Sequence, residues 1–399
     1  MTTPDFRAEA TALLPDLVTL RRTLHAHPEL GTQLPFTQAE VLRALAGLGL
    51  EITTGESLTS VVAVLRGRRP GPAVLLRGDM DALPVTEETG LDFASTNGSM
   101  HACGHDMHTA GLVGAARLLA AHRDELPGSV IFMFQPAEES EGGAEPMIAE
   151  GVLEAAGVPV VAAYGIHVEA DVRGRFATRG GPLMAGFADL DITVHGAGGH
   201  SSQPQATRDP VSAVAEIALA LNTMTTRSFD IFDPVVVSVT QLQGSAANNV
   251  IPDTASLGAS IRFLSAASLA LLQERITEVA EGIARAHRCT ASVDFAVGFP
   301  VTVNDPGETG VVLGRLRELF GQESVTVLDH PRMGSEDFSY VLERVPGAFV
   351  FLGATPDGID PDAETNHSPR VQFDDGLLGD QAAALAHLAY TRLRDEAGA

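Results

Sequence analysis

Two kinds of apolar pattern divide the chain, and that division restricts its fold more than any other feature. Ala73–Leu76, Val130–Phe134, Val158–Ala163 and Ala348–Leu352 are short runs, apolar without interruption. Such runs suit strands covered on both faces, as in an α/β sheet with helices on either side. Amphipathic helix patterns lie among them, over Ala39–Leu48, Thr109–His122 and Asp380–Asp395. Between Phe187 and Val297 the pattern alternates instead. Leu190, Ile192 and Val194 alternate with polar residues, as do Ala255 to Phe263 and Ala291 to Val297. These segments predict half-buried strands with one open face, and Val235–Leu242 makes a fourth. Asp209-Pro210 supplies a cap and a first-turn proline for one helix, and Leu272, Ile276, Val279 and Ile283 mark a second. The order β-α-β-β-α-β is the split ferredoxin-like unit. The reading is an α/β domain over residues 1–182 and 298–399, with an inserted ferredoxin-like α+β domain over 183–297. Gly180-Gly181-Pro182 and Gly298-Phe299-Pro300 are the hinges.

A length of 399 residues fits two domains. The chain carries 26 basic residues, all arginine, against 51 acidic ones, for a net charge of −25. An acidic surface repels phosphate backbones, which sets nucleic-acid binding aside as the main task. The absence of lysine removes Schiff-base and P-loop lysine chemistry. No apolar run approaches the ~18 residues of a membrane span, and no basic-then-apolar leader is visible, so a cytoplasmic location and no membrane partner are expected. Two cysteines, Cys103 and Cys289, exclude a disulfide framework. Cys289 reads as a small buried hydrophobe. Cys103 needs another account, because it stands in His101-Ala-Cys103-Gly-His105-Asp106-Met-His108.

Polar clusters follow the apolar runs: Asp79-Met-Asp81, Gln135-Pro-Ala-Glu138-Glu139, Gly165-Ile-His167, and further on Asn366-His367. Open α/β sheets bind ligands at the carboxyl ends of their strands, so this placement is informative. Thiolate, imidazole and carboxylate together suit a transition ion, and Cys103, His105, Glu139, His167 and His367 exceed what one tetrahedral ion uses. A two-metal site accommodates all five. Side chains of the adjacent Glu138 and Glu139 diverge, so one can bind metal while the other serves as general base. Each residue also has a plainer reading. A histidine in a loop is more often solvated, Asp79 and Asp81 could cap a turn, and His25, His27 and His108 read as structural or supporting groups.

The joint set of motifs is more specific. His25-Ala-His27-Pro-Glu29, Asp79-Met-Asp81-Ala-Leu-Pro84, His101-Ala-Cys103-Gly-His105-Asp106, Phe134-Gln-Pro-Ala-Glu138-Glu139, Gly196-Ala-Gly-Gly-His200, Asn249-Val-Ile-Pro252, Ser335-Glu336-Asp337-Phe338 and Asn366-His367-Ser-Pro369 run in order along nearly the whole chain. In these the chain resembles the metal-dependent amidohydrolases that include hippurate hydrolase, aminoacylases and plant indole-acetyl-amino-acid hydrolases, within the wider aminoacylase and carboxypeptidase superfamily. One departure is Leu34-Pro35, where such proteins usually carry acidic residues before Thr37.

The resemblance implies a two-metal peptidase-like α/β domain with a dimerising lid. It assigns the ligands to Cys103, His105, Glu139, His167 and His367, the general base to Glu138, and an orienting role to Asp81. It implies two divalent ions per subunit, Mn2+ or Zn2+, with Ni2+ and Co2+ as alternatives. The implied reaction is hydrolysis of an N-acyl amino acid, with His200 stabilising the oxyanion and Asn249 and Arg262 of the lid receiving the substrate carboxylate. The implied assembly is a homodimer, or a homotetramer built from it, in which each lid lends His200 to the partner's site. A dipeptidase or small-peptide carboxypeptidase, and a non-catalytic metal-dependent binding module, are the alternatives. A closed structural zinc site is set aside because it has no use for a base next door.

Overall fold

In the computed structural model, which describes residues 3–398, the two apolar patterns fall into two units. The chain opens with α1 (Phe6–His25), α2 (Pro35–Leu45), β1 (Glu51–Thr54), β2 (Val61–Arg66) and β3 (Arg69–Asp79). After a long loop come α3 (His105–Ala121), β4 (Pro127–Gln135), α4 (Ala144–Ala149), β5 (Val160–Glu169), β6 (Phe176–Thr178) and β7 (Gly181–Met184). The middle holds β8 (Gly186–His195), β9 (Gly199–His200), α5 (Pro210–Ser228), β10 (Val236–Gln243), β11 (Val250–Ile251), β12 (Thr254–Phe263), α6 (Ala266–Ala286) and β13 (Thr290–Val297). Last come β14 (Thr302–Asn304), α7 (Pro306–Phe320), β15 (Val325–Val327), α8 (Ser339–Leu342), β16 (Gly347–Gly353) and α9 (Leu378–Gly398).

The first unit comprises the chain up to Leu183, Val303–His330, and the chain from Tyr340 onward. Its sheet has the order β1-β2-β4-β3-β5-β16-β6-β15. The four central strands β4, β3, β5 and β16 run parallel, while β2 and β6 join them antiparallel. The continuous apolar runs are these parallel strands, and β4 and β16 are buried over their full length. Register then aligns their carboxyl ends, with Asp79 opposite Gln135, Arg77 opposite Gly165, and Phe351 opposite His167. The polar clusters after these strands therefore emerge along one edge of the sheet. Helices α1, α3 and α9 pack together against it, with Phe6, Leu17, Leu112, Leu385 and Tyr390 in a common core.

Several limits differ from the periodicity. The predicted helix over 39–48 runs from Pro35 to Leu45, because proline fits a first helical turn and Gly47 and Gly49 have left-handed backbone. The 109–122 pattern belongs to a helix that starts earlier, at His105, and the 380–395 pattern to one spanning Leu378–Gly398. Sequence patterning does not announce α1, which holds Pro15 in its interior, or α7, the edge strand β1 and its neighbour β2.

The second unit comprises Met184–Thr302 and also Pro331–Ser339. The latter segment departs from the 183–297 reading. It joins this unit because Ala185 N–H donates to Arg332 C=O at 3.0 Å and Met184 bridges to Arg332. The sheet order is β10-β12-β8-β13, wholly antiparallel. Ala188, Leu190, Ile192 and Val194 of β8 face Ile217 and Leu221 of α5 and Leu272 and Ile276 of α6 in a second core. Asp209 caps α5, accepting from Val211 N–H at 2.9 Å. Among the described residues, no helix is long and apolar enough to cross a membrane.

Asn304 shows how the first unit fixes the β16 end. Its Nδ2 donates to Thr178 Oγ1 (2.9 Å), Arg179 C=O (2.9 Å) and Phe349 C=O (3.1 Å), while Oδ1 accepts from Phe349 N–H (2.8 Å). Asn304→Leu keeps most of the volume and orphans these buried groups. Urea unfolding is expected to show a loss of roughly 3 kcal/mol with an unchanged slope.

Candidate metal centre

The centre is assembled from loops that leave the parallel strands. Just beyond β3, Asp81 accepts from two successive backbone N–H groups, that of Glu138 at Oδ1 (3.0 Å) and that of Glu139 at Oδ2 (2.9 Å). The turn out of β4 reaches this pair through Ala137, whose φ of 63° is left-handed and costly for a residue with a Cβ. Gly104 stands between Cys103 and His105 with φ 84°, and a Cβ there would lie 2.3 Å from Val168 Cγ2. Only glycine lets the α3 start approach β5 so closely. His367, also left-handed at φ 73°, donates its N–H to Ala102 C=O at 2.9 Å. Neighbouring Asn366 donates to Val168 C=O (3.1 Å) and accepts from Ala170 N–H (2.9 Å).

These loops bring the five anticipated ligands together. Cys103 Sγ lies 3.4 Å from His167 Nε2 and 3.3 Å from His367 Nε2. Glu139 Oε1 lies 3.0 Å from His367 Nε2 and 3.9 Å from His105 Nε2. Two triads result, Cys103/His105/His167 and Cys103/Glu139/His367, which share the sulfur. Glu138 groups with His105 and Glu139. In each group the candidate ligand atoms lie within 4.8 Å of one another.

Hydrogen bonding decides which nitrogens are available. His167 Nδ1 donates to Val168 C=O (2.7 Å), so Nε2 carries the lone pair and points it at the Cys103 sulfur. Burial, with His108 beside it, holds the His167 imidazole well below the ordinary range. His108 is differently committed. Its Nε2 accepts from Val168 N–H (2.7 Å), so its proton is on Nδ1, which donates to Asp79. Both nitrogens are in use, and Asp79 is also paired with Arg77, so the nearby Asp79/His105/His108 group is not an open ion site.

The residues fit a pair of cations. Both ring nitrogens of buried His105, and Glu139 Oε1, receive no regular hydrogen bond among the described residues. Burial alone would lower His105, but the carboxylates of Asp79, Asp81 and Glu139 outweigh it and raise the imidazole to about 10. Burial, then Glu139 and Glu138, push the Cys103 thiol well above its usual range. A pocket that retains protons this strongly is one where anionic donors lack compensating charge. Divalent ions supply that compensation and displace the protons.

The second unit places the remaining candidates. β9 pairs with β11, with His200 opposite Val250, and Ser201 N–H donates to Asn249 C=O (3.1 Å). Exposed His200 and Asn249 thus share one platform. His200 Nδ1 accepts from Ser202 N–H (3.2 Å), which leaves the proton of the neutral ring on Nε2. Arg262 lies at the other end of β12 from Thr254, roughly 26 Å along the strand. There it donates to Ser260 Oγ (3.0 Å) and Ile261 C=O (3.0 Å), with its guanidinium 5.3 Å from the Phe187 ring centre. Sequence reasoning passed over Arg77, and it named Asn366 only as the neighbour of His367, without a role. An arginine inside the apolar strand Leu75-Leu76-Arg77 was the available signal for the first.

The profile of peptidase family M20/M25/M40 matches residues 75–391. The chain belongs to this family. Among its M20 relatives, thermostable carboxypeptidase 1 of Saccharolobus solfataricus is 39% identical over 93% of both chains. The IAA-amino acid hydrolase ILR1-like 2 of Arabidopsis thaliana is 38% identical over 96% of this chain and 86% of its own. The Bacillus subtilis YXEP protein, described as a dinuclear metal binding peptidase of the M20 family, superposes with a TM-score of 0.82 at 34% identity, over 96% of this chain and 99% of its own. The α/β fold class and the family expected from the motifs hold.

The adjacent glutamates should separate by experiment. Glu138→Gln is expected to keep both ions and lose most turnover, while Glu139→Gln and Cys103→Ala lose metal and activity together. Ions per chain, measured by inductively coupled plasma mass spectrometry after dialysis, distinguish them, and equal metal loss in both glutamate variants would overturn the division of roles.

Proposed function

We propose that the chain hydrolyses the amide bond of N-acyl amino acids, giving a carboxylic acid and an amino acid. The observation that carries the reading is the meeting of Cys103, His105, Glu139, His167 and His367 in two triads around one sulfur, with Glu138 beside them. These five residues hold two divalent ions, Zn2+ or Mn2+ by the mixture of thiolate, imidazole and carboxylate donors. Bound there, the ions supply Lewis acidity and favour ionisation of water at neutral pH. Glu138 accepts a proton from the water as its oxygen bonds to the acyl carbon, and returns that proton to the departing nitrogen as the C–N bond breaks. Asp81 aims Glu138 by holding its backbone N–H. His200 Nε2–H donates to the oxyanion that develops on the acyl carbonyl. Asn249, on the same platform, meets the substrate carboxylate.

The assembly proposed is a homodimer through the second unit. In that unit β10 pairs on one side with β12, and Val236 and Leu242 on β10 and Leu219 on α5 are exposed apolar residues. A second copy adding to this edge would cover them. Likeness to a carboxypeptidase favours peptide cleavage as the second reading.

Turnover of N-acetyl, N-benzoyl and indole-acetyl amino acids, after chelation and refilling with defined ions, tests the substrate class. Faster cleavage of dipeptides with the same C-terminal residue would favour the peptidase reading. His200→Ala should retain both ions and turn over ~10²–10³ more slowly. Mixed dimers of His200→Ala with Glu138→Gln, verified by pull-down of a tagged partner, should regain activity if His200 serves the partner's site. Formed but inactive mixed dimers would place it in its own subunit's site.

A further inference from the structure

Behind the ligand segment lies a group of buried charges that the hydrolysis described above does not use. His25, the last residue of α1, meets a carboxylate at each ring nitrogen: Nδ1 is 2.7 Å from Asp106 Oδ2 and Nε2 is 3.1 Å from Glu87 Oε1. Carboxylates only accept, so the imidazolium, with two N–H donors, satisfies both. Asp106 also pairs with Arg21 (2.7 Å), which reaches on to Asp375 (2.9 Å). Glu87 further accepts from Ser95 N–H (2.7 Å) and from the Thr89 hydroxyl. The side chains of Arg21, His25, Glu87 and Asp106 are each at most 2% exposed. Burial alone would lower His25, but Asp106 and Glu87 outweigh it and raise its pKa.

Buried ion pairs seldom stabilise a fold more than apolar side chains of the same volume would, so their use here calls for another reason. Position supplies one. Asp106 directly follows His105 in the first turn of α3. Glu87 lies in the first third of the segment between β3 and α3, which forms no helix or extended strand and carries Cys103 near its end. Unsupported segments of this length are uncommon within compact domains. His25 joins the two places with one ring.

We propose that His25 is a positioning residue, which ties Glu87 to Asp106, fixes the 82–104 segment against the first turn of α3, and so holds Cys103 and His105 at the spacing that binds metal. This rests on the ligand assignment above. Groups that orient metal ligands from behind typically contribute 10–100-fold in affinity.

The test is calorimetric titration of the chelator-stripped full chain with Mn2+ alone, at a temperature where circular dichroism shows each variant folded. His25→Gln and Glu87→Gln are expected to bind Mn2+ about 10-fold more weakly or worse, and the double variant no more weakly than the worse single one, since both cut the same tie. Asn304→Leu serves as the structural control, less stable but with wild-type affinity. Wild-type Mn2+ affinity in folded His25→Gln and Glu87→Gln would overturn the proposal even if both were less stable. Should His25→Gln not fold, the isosteric Glu87→Gln decides. Cys103→Ala separates the two readings: if it binds Mn2+ as wild type does, the ligand assignment falls and this proposal with it. If only Cys103→Ala loses affinity, the positioning role alone falls.

Discussion

One carboxylate, that of Asp81, holds the candidate centre together. It accepts the backbone N–H groups of Glu138 and Glu139 at 3.0 and 2.9 Å, and its Oδ1 stands 3.4 Å from His105 Nδ1. Three chain segments, leaving β3, leaving β4 and entering α3, thereby converge on a single buried side chain. The consequence for chemistry is directional. With their main chain pinned together, both carboxylates group with His105, and only Glu139 also belongs to the group that contains Cys103 and His367. A ligand and a base can then be neighbours in sequence without competing for the same ion.

The cost of this arrangement is visible in the backbone and in the charge. Ala137, Arg288 and His367 are the non-glycine residues with left-handed backbone among those described, and two of the three flank the centre. Strain of this kind persists only where surrounding contacts over-determine it, here the Asp81 grip on one side and the His367 bond to Ala102 on the other. The carboxylates of Asp79, Asp81, Glu138 and Glu139 gather in a protein already at net charge −25. Arg77 offsets Asp79 from within β3. The rest favours protons on His105 and Cys103 until cations replace them.

The two units meet different physical demands. A parallel sheet buried on both faces offers register, and register is what brings residues distant in sequence to one edge: His367 and Cys103 meet although 264 positions separate them. The antiparallel sheet of the second unit is covered on one face by α5 and α6 and keeps the other face polar, with Asp189, Asp191 and Thr193 outward. Such a sheet can present loops, and it presents His200 and Asn249 side by side.

Periodicity is a local property, and whatever depends on it is readable in the sequence alone. The two strand styles, the limits of β12 and β13, and the helix opened by Asp209-Pro210 follow from side chains within a few residues of one another. The donor types were readable as well, because carboxylate and imidazole stand at the ends of the buried strands β4 and β5 and a thiolate stands between two histidines just before α3. Three-dimensional placement settled what local pattern could not. Residues 331–339 pack with the second unit through the Met184–Arg332 bridge and the bond from the Thr302 hydroxyl to Glu336 C=O, which no composition shift marks. Arg262 donates to Ser260 Oγ and Ile261 C=O and lies beside the Phe187 ring, contacts that alternation along β12 does not announce. The motifs already set His167 among the ligands and His108 among the supporting groups, and the fold supplies the physical reason. Val168 separates them: its N–H occupies the open nitrogen of His108, while its C=O takes the proton of His167 and leaves that ring's lone pair facing Cys103. Which histidine can bind an ion is a matter of hydrogen bonds already spent, and those are made between segments that only the folded chain brings together.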